Sequence, residues 1–281
     1  MSLPTSNLAD CPGEPGVVRI RLDIAYDGTG FSGWAVQPQR RTVQGVLQEG
    51  LAIVLRLPAE LTVAGRTDAG VHAIGQVAHL DLPTTTWVAA SPTLLRRLAG
   101  VLPADVRVRA AVEVPAQFDA RFSAVWRRYE YRISDAVGGV DPLRRWLVLG
   151  WPRALDAEAM AAAACSVVGE HDFAAFCKFR EGATTVRTVY SLQVQRAGDE
   201  IVCTVQADAF CHAMVRSLVG SLLAVGDGRR DATWLASLLT RTSRADEVPV
   251  APPHGLTLVA VGYPPEGAPA ERAAVTRQWR T

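Results

Sequence analysis

The chain has 281 residues, 49% of them hydrophobic and 20% charged, with a formal net charge of +1 at pH 7. It is long enough for one large or two ordinary packed domains, and no apolar run approaches the roughly 20 residues of a membrane-spanning helix, so no membrane span is expected. A net charge this close to zero gives no bulk attraction to polyanions, and any nucleic-acid binding has to come from local clustering. The five cysteines (Cys11, Cys165, Cys177, Cys203 and Cys211) are odd in number and include no C-x-x-C pair. That count argues against a disulfide framework and against a zinc or other metal site, and it fits a reducing cytoplasm.

Residues 1–16 carry Pro12, Gly13, Pro15 and Gly16 with no basic start and apolar stretch, which reads as a flexible leader and not a secretory signal. Val17 to Tyr26 alternates, with Val18, Ile20, Leu22, Ile24 and Tyr26 on one face and Arg19, Arg21 and Asp23 on the other, the pattern of a half-buried strand. Thr42 caps a helix whose Val43, Val46, Leu47, Leu51, Val54 and Leu55 fall on one stripe and which ends near Leu57-Pro58. Leu61 to Ala64 and His72 to Leu82 read as short strands. Ser91-Pro92 predicts the start of a second helix, by a cap residue ahead of a first-turn proline. Val106 to Val114 alternates again. The order is strand, helix, strand, strand, helix, strand, the split βαβ arrangement of a ferredoxin-like domain.

The second half repeats that order. Trp126 to Ser134 reads as a strand, Asp156 to Val168 as an alanine-rich helix, and Val186 to Gln195 and Glu200 to Ala209 as strands joined at Ala197-Gly198-Asp199. A helix follows around His212 to Val225, an extra one spans Thr233 to Leu239, and Gly255 to Val261 gives the last strand. The fold class expected is therefore α+β: two ferredoxin-like (βαββαβ) halves, residues 17–120 and 121–263, forming a continuous, mostly antiparallel sheet flanked by helices, with a cleft between them. Residues 264–281 read as a polar tail.

Three features carry chemistry. The run Ala64-Gly65-Arg66-Thr67-Asp68-Ala69-Gly70-Val71-His72-Ala73 sets one carboxylate on a glycine-bounded turn between strands, where backbone angles open to glycine can present Asp68 outward. Between Arg121 and Arg132 lie four arginines (Arg121, Arg127, Arg128 and Arg132) and one acid, Glu130, interleaved with Phe122, Trp126, Tyr129 and Tyr131. Lys178 is the only lysine, so arginine is favoured throughout the chain and only the cluster is informative. Tyr129 and Tyr131 share a strand face about 6.6 Å apart, and either could stack on a base, an interaction worth about 1–3 kcal/mol whatever the base; covering the sheet beneath a helix is the plainer alternative. Arg216 lies off the apolar stripe of its helix, and beside a half-buried aspartate it would favour the carboxylate form and orient it through two hydrogen bonds. His72 reads as a strand histidine that fixes the turn.

The stretch Gly65 to Ala73, with Gly75-Gln76-Val77 behind it, resembles the signature of the TruA family of tRNA pseudouridine synthases. Tyr26 to Trp34, Thr42-Val43-Gln44, Phe118 to Ala124, Arg127 to Tyr131, Ala209 to Arg216 and Ala251 to Leu256 resemble further family blocks, in order, over most of the chain from Val17 to Tyr263. The resemblance implies that Asp68 is the catalytic aspartate, Tyr129 stacks on the target uracil, Arg216 pairs with the aspartate, and Arg66 takes part in nucleotide flipping. Arg127 and Arg128 are the expected contacts to the RNA. Ala35 stands where many family members have glutamine. The resemblance further implies uridines 38, 39 and 40 of the anticodon arm of tRNA as targets, a homodimer and no cofactor.

The implied reaction breaks the bond from ribose C1′ to uracil N1 and remakes it to C5 with no net redox change. An aspartate could act as nucleophile at C1′ or at C6, or as the base that removes a ribose proton to give a glycal. Two rival readings differ in class. A noncatalytic RNA-binding protein would show a glycine-aromatic strand motif that is missing here. A phosphate-ester hydrolase with an aspartyl nucleophile would need a second acidic cluster for magnesium.

Overall fold

A computed structural model describes residues 16–178, 182 and 184–264. The expected leader, Gly16 apart, and the expected tail, Pro264 apart, lie outside those residues. The strands are β1 (Val17–Tyr26), β2 (Thr62–Val63), β3 (His72–Pro83), β4 (Val106–Val114), β5 (Trp126–Ser134), β6 (Leu149–Gly150), β7 (Gly169–Asp172), β8 (Val186–Ala197), β9 (Glu200–Ala207) and β10 (Leu256–Gly262). The α-helices are α1 (Val43–Leu55), α2 (Thr84–Ala90), α3 (Leu94–Val101), α4 (Ala157–Ala164), α5 (Met214–Gly226) and α6 (Ala232–Leu238).

Alternation decides β1: Ile20, Leu22 and Ile24 are fully buried while the residues between them are partly exposed. Each such side chain contributes about 1.5–3 kcal/mol relative to leaving it in water. Over this face lies α1, which begins where the Thr42 hydroxyl accepts the Gly45 N–H and buries Val43, Leu47, Leu51, Val54 and Leu55. It ends two residues earlier than the proline suggests, because Arg56 takes a left-handed conformation (φ +59°) after Leu55. The cap at Asp156 also forms, its carboxylate accepting the Ala159 N–H, but α4 stops at Ala164 and a short 3-10 turn follows.

The proposed helix start at Ser91-Pro92 is corrected. Ser91 is the C-cap of α2, and α3 begins at Leu94. The three threonines that open α2 are weak helix formers, so propensity hides it. The short β6 and β7 were not expected either.

The strands form one sheet in the order β4-β1-β3-β10-β5-β9-β8-β7, with β2 paired to β3 and β6 to β5. Pairing is antiparallel except for β3 with β10 and β5 with β6. The β3–β10 contact joins strands from the two ends of the chain, with Thr257 opposite His72 and Leu258 opposite Ala73. It needs Gly75, since a Cβ there would sit 2.2 Å from the Val259 carbonyl oxygen. The fold is thus a mixed α/β architecture, a large and mostly antiparallel sheet flanked by helices. Among the described residues no helix is long and apolar enough to cross a membrane.

Cys177 and Cys211, 34 residues apart, are brought against each other with Cα atoms 5.7 Å apart, a separation that a bridge can span. Parity cannot detect a pair brought together only by folding.

Candidate active site

The loop bearing Asp68 runs from β2 into β3 and is fixed by a buried polar network. The Thr67 hydroxyl lies 2.7 Å from the Tyr26 hydroxyl, and the Gln76 amide donates both to Tyr26 (3.3 Å) and to the Gly65 carbonyl (2.8 Å). Gln76 is fully buried, so its amide has to be paired in the protein, and it is paired to this loop. Burial pushes the Tyr26 phenol up to about 12, against the opposing pull of its bonds to Thr67 and Gln76. The Trp34 N–H donates to the Thr67 carbonyl and the Val71 N–H to the Asp68 carbonyl. Of the two glycines that bound the turn, Gly70 uses the left-handed region (φ +78°) and Gly65 does not.

His72 is buried and spans the loop's base. Its Nδ1 lies 3.0 Å from the Gly28 N–H and 3.1 Å from the Asp27 carboxylate, and its Nε2 lies 3.1 Å from the His254 carbonyl. One imidazole thereby ties the chain on either side of the site together, the structural role its strand position suggests.

Asp68 itself stays partly open, its side chain 31% exposed. Arg216, in the first turn of α5, approaches Oδ2 with one guanidinium nitrogen at 3.5 Å, while its Nε donates to the Ala251 carbonyl at 2.7 Å. A histidine that spacing did not single out, His212, places Nε2 3.5 Å from Oδ1. The carboxylate therefore faces a different nitrogenous partner at each oxygen. The Arg216 contact is long for a hydrogen bond, and the His212 approach is within ion-pair distance only.

Tyr129 sits beneath this opening, 8% exposed, its ring edge-on to Phe210 at 5.2 Å between centroids. Burial drives its phenol well above the ordinary tyrosine value, and the nearby charge of Asp68 adds to the rise. Tyr131 is not an equal candidate, because it is fully buried and its hydroxyl donates to the Pro252 carbonyl at 2.8 Å.

The arginines separate. Arg127 is 5% exposed and its guanidinium donates to four backbone carbonyls, those of Ala64, Arg121, Ala124 and Asp208. Its expected place against RNA is corrected: it is an internal tie, anchoring the strand before the Asp68 turn to β5 and the segment after β9. Arg128, its neighbour on an alternating strand, points to the opposite face from Tyr129 and bonds the Gln206 carboxamide at 2.7 and 3.0 Å. Arg66 is exposed and makes no hydrogen bond or ion pair among the described residues. Asp68, Arg216 and Tyr129 are thus brought together, Arg66 lies two residues before Asp68 on the same loop, and the Arg127 and Arg128 side chains are engaged elsewhere.

A family profile described as tRNA pseudouridine synthase matches residues 163–264, the segment that contains α5 and Arg216. The tRNA pseudouridine synthase A of Streptomyces griseus subsp. griseus is 58% identical over 272 residues, covering 95% of this chain and 96% of its own. That of Frankia casuarinae is 59% identical over 267 residues, covering 94% and 96%, and that of Mycobacterium leprae 51% identical over 275 residues, covering 94% and 96%. These similarities define the class as RNA-modifying isomerases. The chain belongs to the tRNA pseudouridine synthase A family.

Proposed function

We propose that this protein converts uridine to pseudouridine in the anticodon arm of tRNA, at positions 38, 39 and 40, with Asp68 as the reacting carboxylate. The observation that carries the reading is the state of that carboxylate: partly exposed, presented by a loop held in a buried polar network, and approached at one oxygen by Arg216 at 3.5 Å, in a chain whose relatives are named for this reaction. Pseudouridine formation moves C1′ from N1 to C5 and moves one proton from C5 to N1. Whether Asp68 attacks C1′, attacks C6 or removes a ribose proton, the step begins from a pre-positioned carboxylate with an oxygen lone pair available. Arg216, fixed by Ala251, supplies the positioning, and the Tyr129 ring offers a face for the base once the nucleotide is turned out of its stack. No cofactor takes part.

The strand orders β4-β1-β3-β2 and β10-β5-β9-β8 support reading residues 17–120 and 121–263 as ferredoxin-like halves with the site between them. We place the protein in the cytoplasm as a homodimer, in which one subunit holds the body of the tRNA that the other modifies, with Arg66 at the site helping to turn the nucleotide out. Carbodiimide labelling and primer extension of tRNA treated with the purified protein test the assignment. Stops at 38, 39 or 40 are expected; a fully unmodified anticodon arm would overturn it.

A further inference from the structure

Asp68 has a second partner, and its two partners are not equivalent. Arg216 is 20% exposed and tied twice to Ala251, its Nε donating to that residue's carbonyl and its own carbonyl accepting that residue's N–H. His212 is 51% exposed and its ring makes no hydrogen bond among the described residues, only the 3.5 Å approach to Asp68. The oxygen facing Arg216 is therefore approached by a group that is itself tied to the backbone. The oxygen facing His212 is approached by one that is not.

The backbone behind His212 is nevertheless firmly set. Its carbonyl accepts the Lys178 N–H at 3.0 Å, and the preceding residue, Cys211, lies against Cys177 with Cα atoms 5.7 Å apart. The following residue, Ala213, takes a left-handed conformation (φ +65°, ψ 3°) at the start of α5, which costs a residue with a Cβ about 1–2 kcal/mol. This turn points His212 and Arg216, four residues apart, at the two oxygens of one carboxylate.

We propose that His212 is a positioning residue for Asp68: Nε2–H holds Oδ1 toward the open side of the site until the nucleotide displaces it, so that Oδ1 is the oxygen that reacts. The proposal rests on the reading of Asp68 as the reacting carboxylate. An imidazole serves in either its neutral Nε2–H tautomer or its protonated form, since both donate from that nitrogen. Without it, a single 3.5 Å polar contact to Arg216 among the described residues orients the carboxylate, and misplacement of a reacting group by an ångström is enough to slow chemistry severely.

Single-turnover rates and tRNA affinities of the full chain test this, with H212A, H212Q and D68N compared to the wild type. His212→Ala should slow the rate about tenfold and leave tRNA affinity within about twofold, the signature of an interaction used in the chemical step and not in binding. His212→Gln, which keeps an N–H donor on a side chain of similar reach, should recover to within about threefold of the wild type. A full rate in H212A, a loss of affinity as large as the loss of rate, or no recovery with glutamine would overturn the role of His212. Turnover by D68N would overturn the reading of Asp68 itself, whereas an inactive D68N beside a fully active H212A would remove only the role of His212. Thermal melting of each variant shows that the half-exposed site has been altered without unfolding the protein.

Discussion

Two aspartate–arginine pairs in this molecule use the same functional groups for opposite ends. Asp135 and Arg196 make a two-pronged contact at 2.7 and 2.8 Å, the Leu155 N–H adds a further bond to the carboxylate, and the aspartate side chain is only 8% exposed. Hydrogen bonds from Arg196 hold this carboxylate at about 2, against the opposing effect of burial. Asp68 and Arg216 meet through one nitrogen at 3.5 Å, with the aspartate 31% exposed. The first carboxylate has its acceptor capacity filled and serves as a fastener between β5 and β8. The second is aimed without being saturated, which leaves lone pairs for a substrate. Pairing type alone does not separate the two; the difference is the acceptor capacity left open at Asp68, on which its proposed role rests.

The contrast can be broken by substitution. Arg216→Ala should lower the rate of pseudouridine formation about a hundredfold, the scale of a lost charge-assisted hydrogen bond that acts in the transition state, with little change in melting. Arg196→Ala should leave that rate unchanged and lower stability instead. An equal effect of the two on activity would erase the distinction between them.

Arg127→Met sharpens it from another side. Four carbonyls lose their donor, and denaturant titration should show a loss of about 2–4 kcal/mol. A contact to phosphate would instead weaken tRNA binding and reduce its salt dependence, with the fold intact.

Asp135→Asn should cost about 1 kcal/mol, discounted because Arg196 is partly exposed to solvent. The pH dependence gives the smallest effect. The folded carboxylate lies below its ordinary value of 3.8, so its contribution is complete above that pH and is lost as the pH falls through about 2. The stability difference between wild type and D135N should therefore close across that acid window and stay constant from weakly acidic to neutral pH.

Local pattern carried most of the architecture. The alternation of Val17 to Tyr26 and the Thr42 cap place β1 and α1 to within two residues, because each rests on a periodicity or a bond internal to the segment. The Asp68 turn was legible for the same reason, and the sequence singled out Arg216 by its position off an apolar stripe. Arg127 was misread because its charge was weighed above its position: it alternates with Tyr129 and Tyr131, and that shared face already placed it inside. His212 gave no periodic signal, since it precedes α5 and owes its direction to Ala213, Cys177 and Lys178, which only the fold brings near. The Cys177–Cys211 pair and the two-residue β6 belong to the same class of features, fixed by tertiary contact alone.

The most direct test of the account uses tRNA carrying uridine tritiated at C5, because forming the bond from C1′ to C5 expels that hydrogen into solvent. Wild-type protein should release the label while Asp68→Asn, binding the same tRNA equally well, should release none above background. Release by the Asn variant at a rate near that of the wild type would contradict the assignment of Asp68 as the reacting carboxylate.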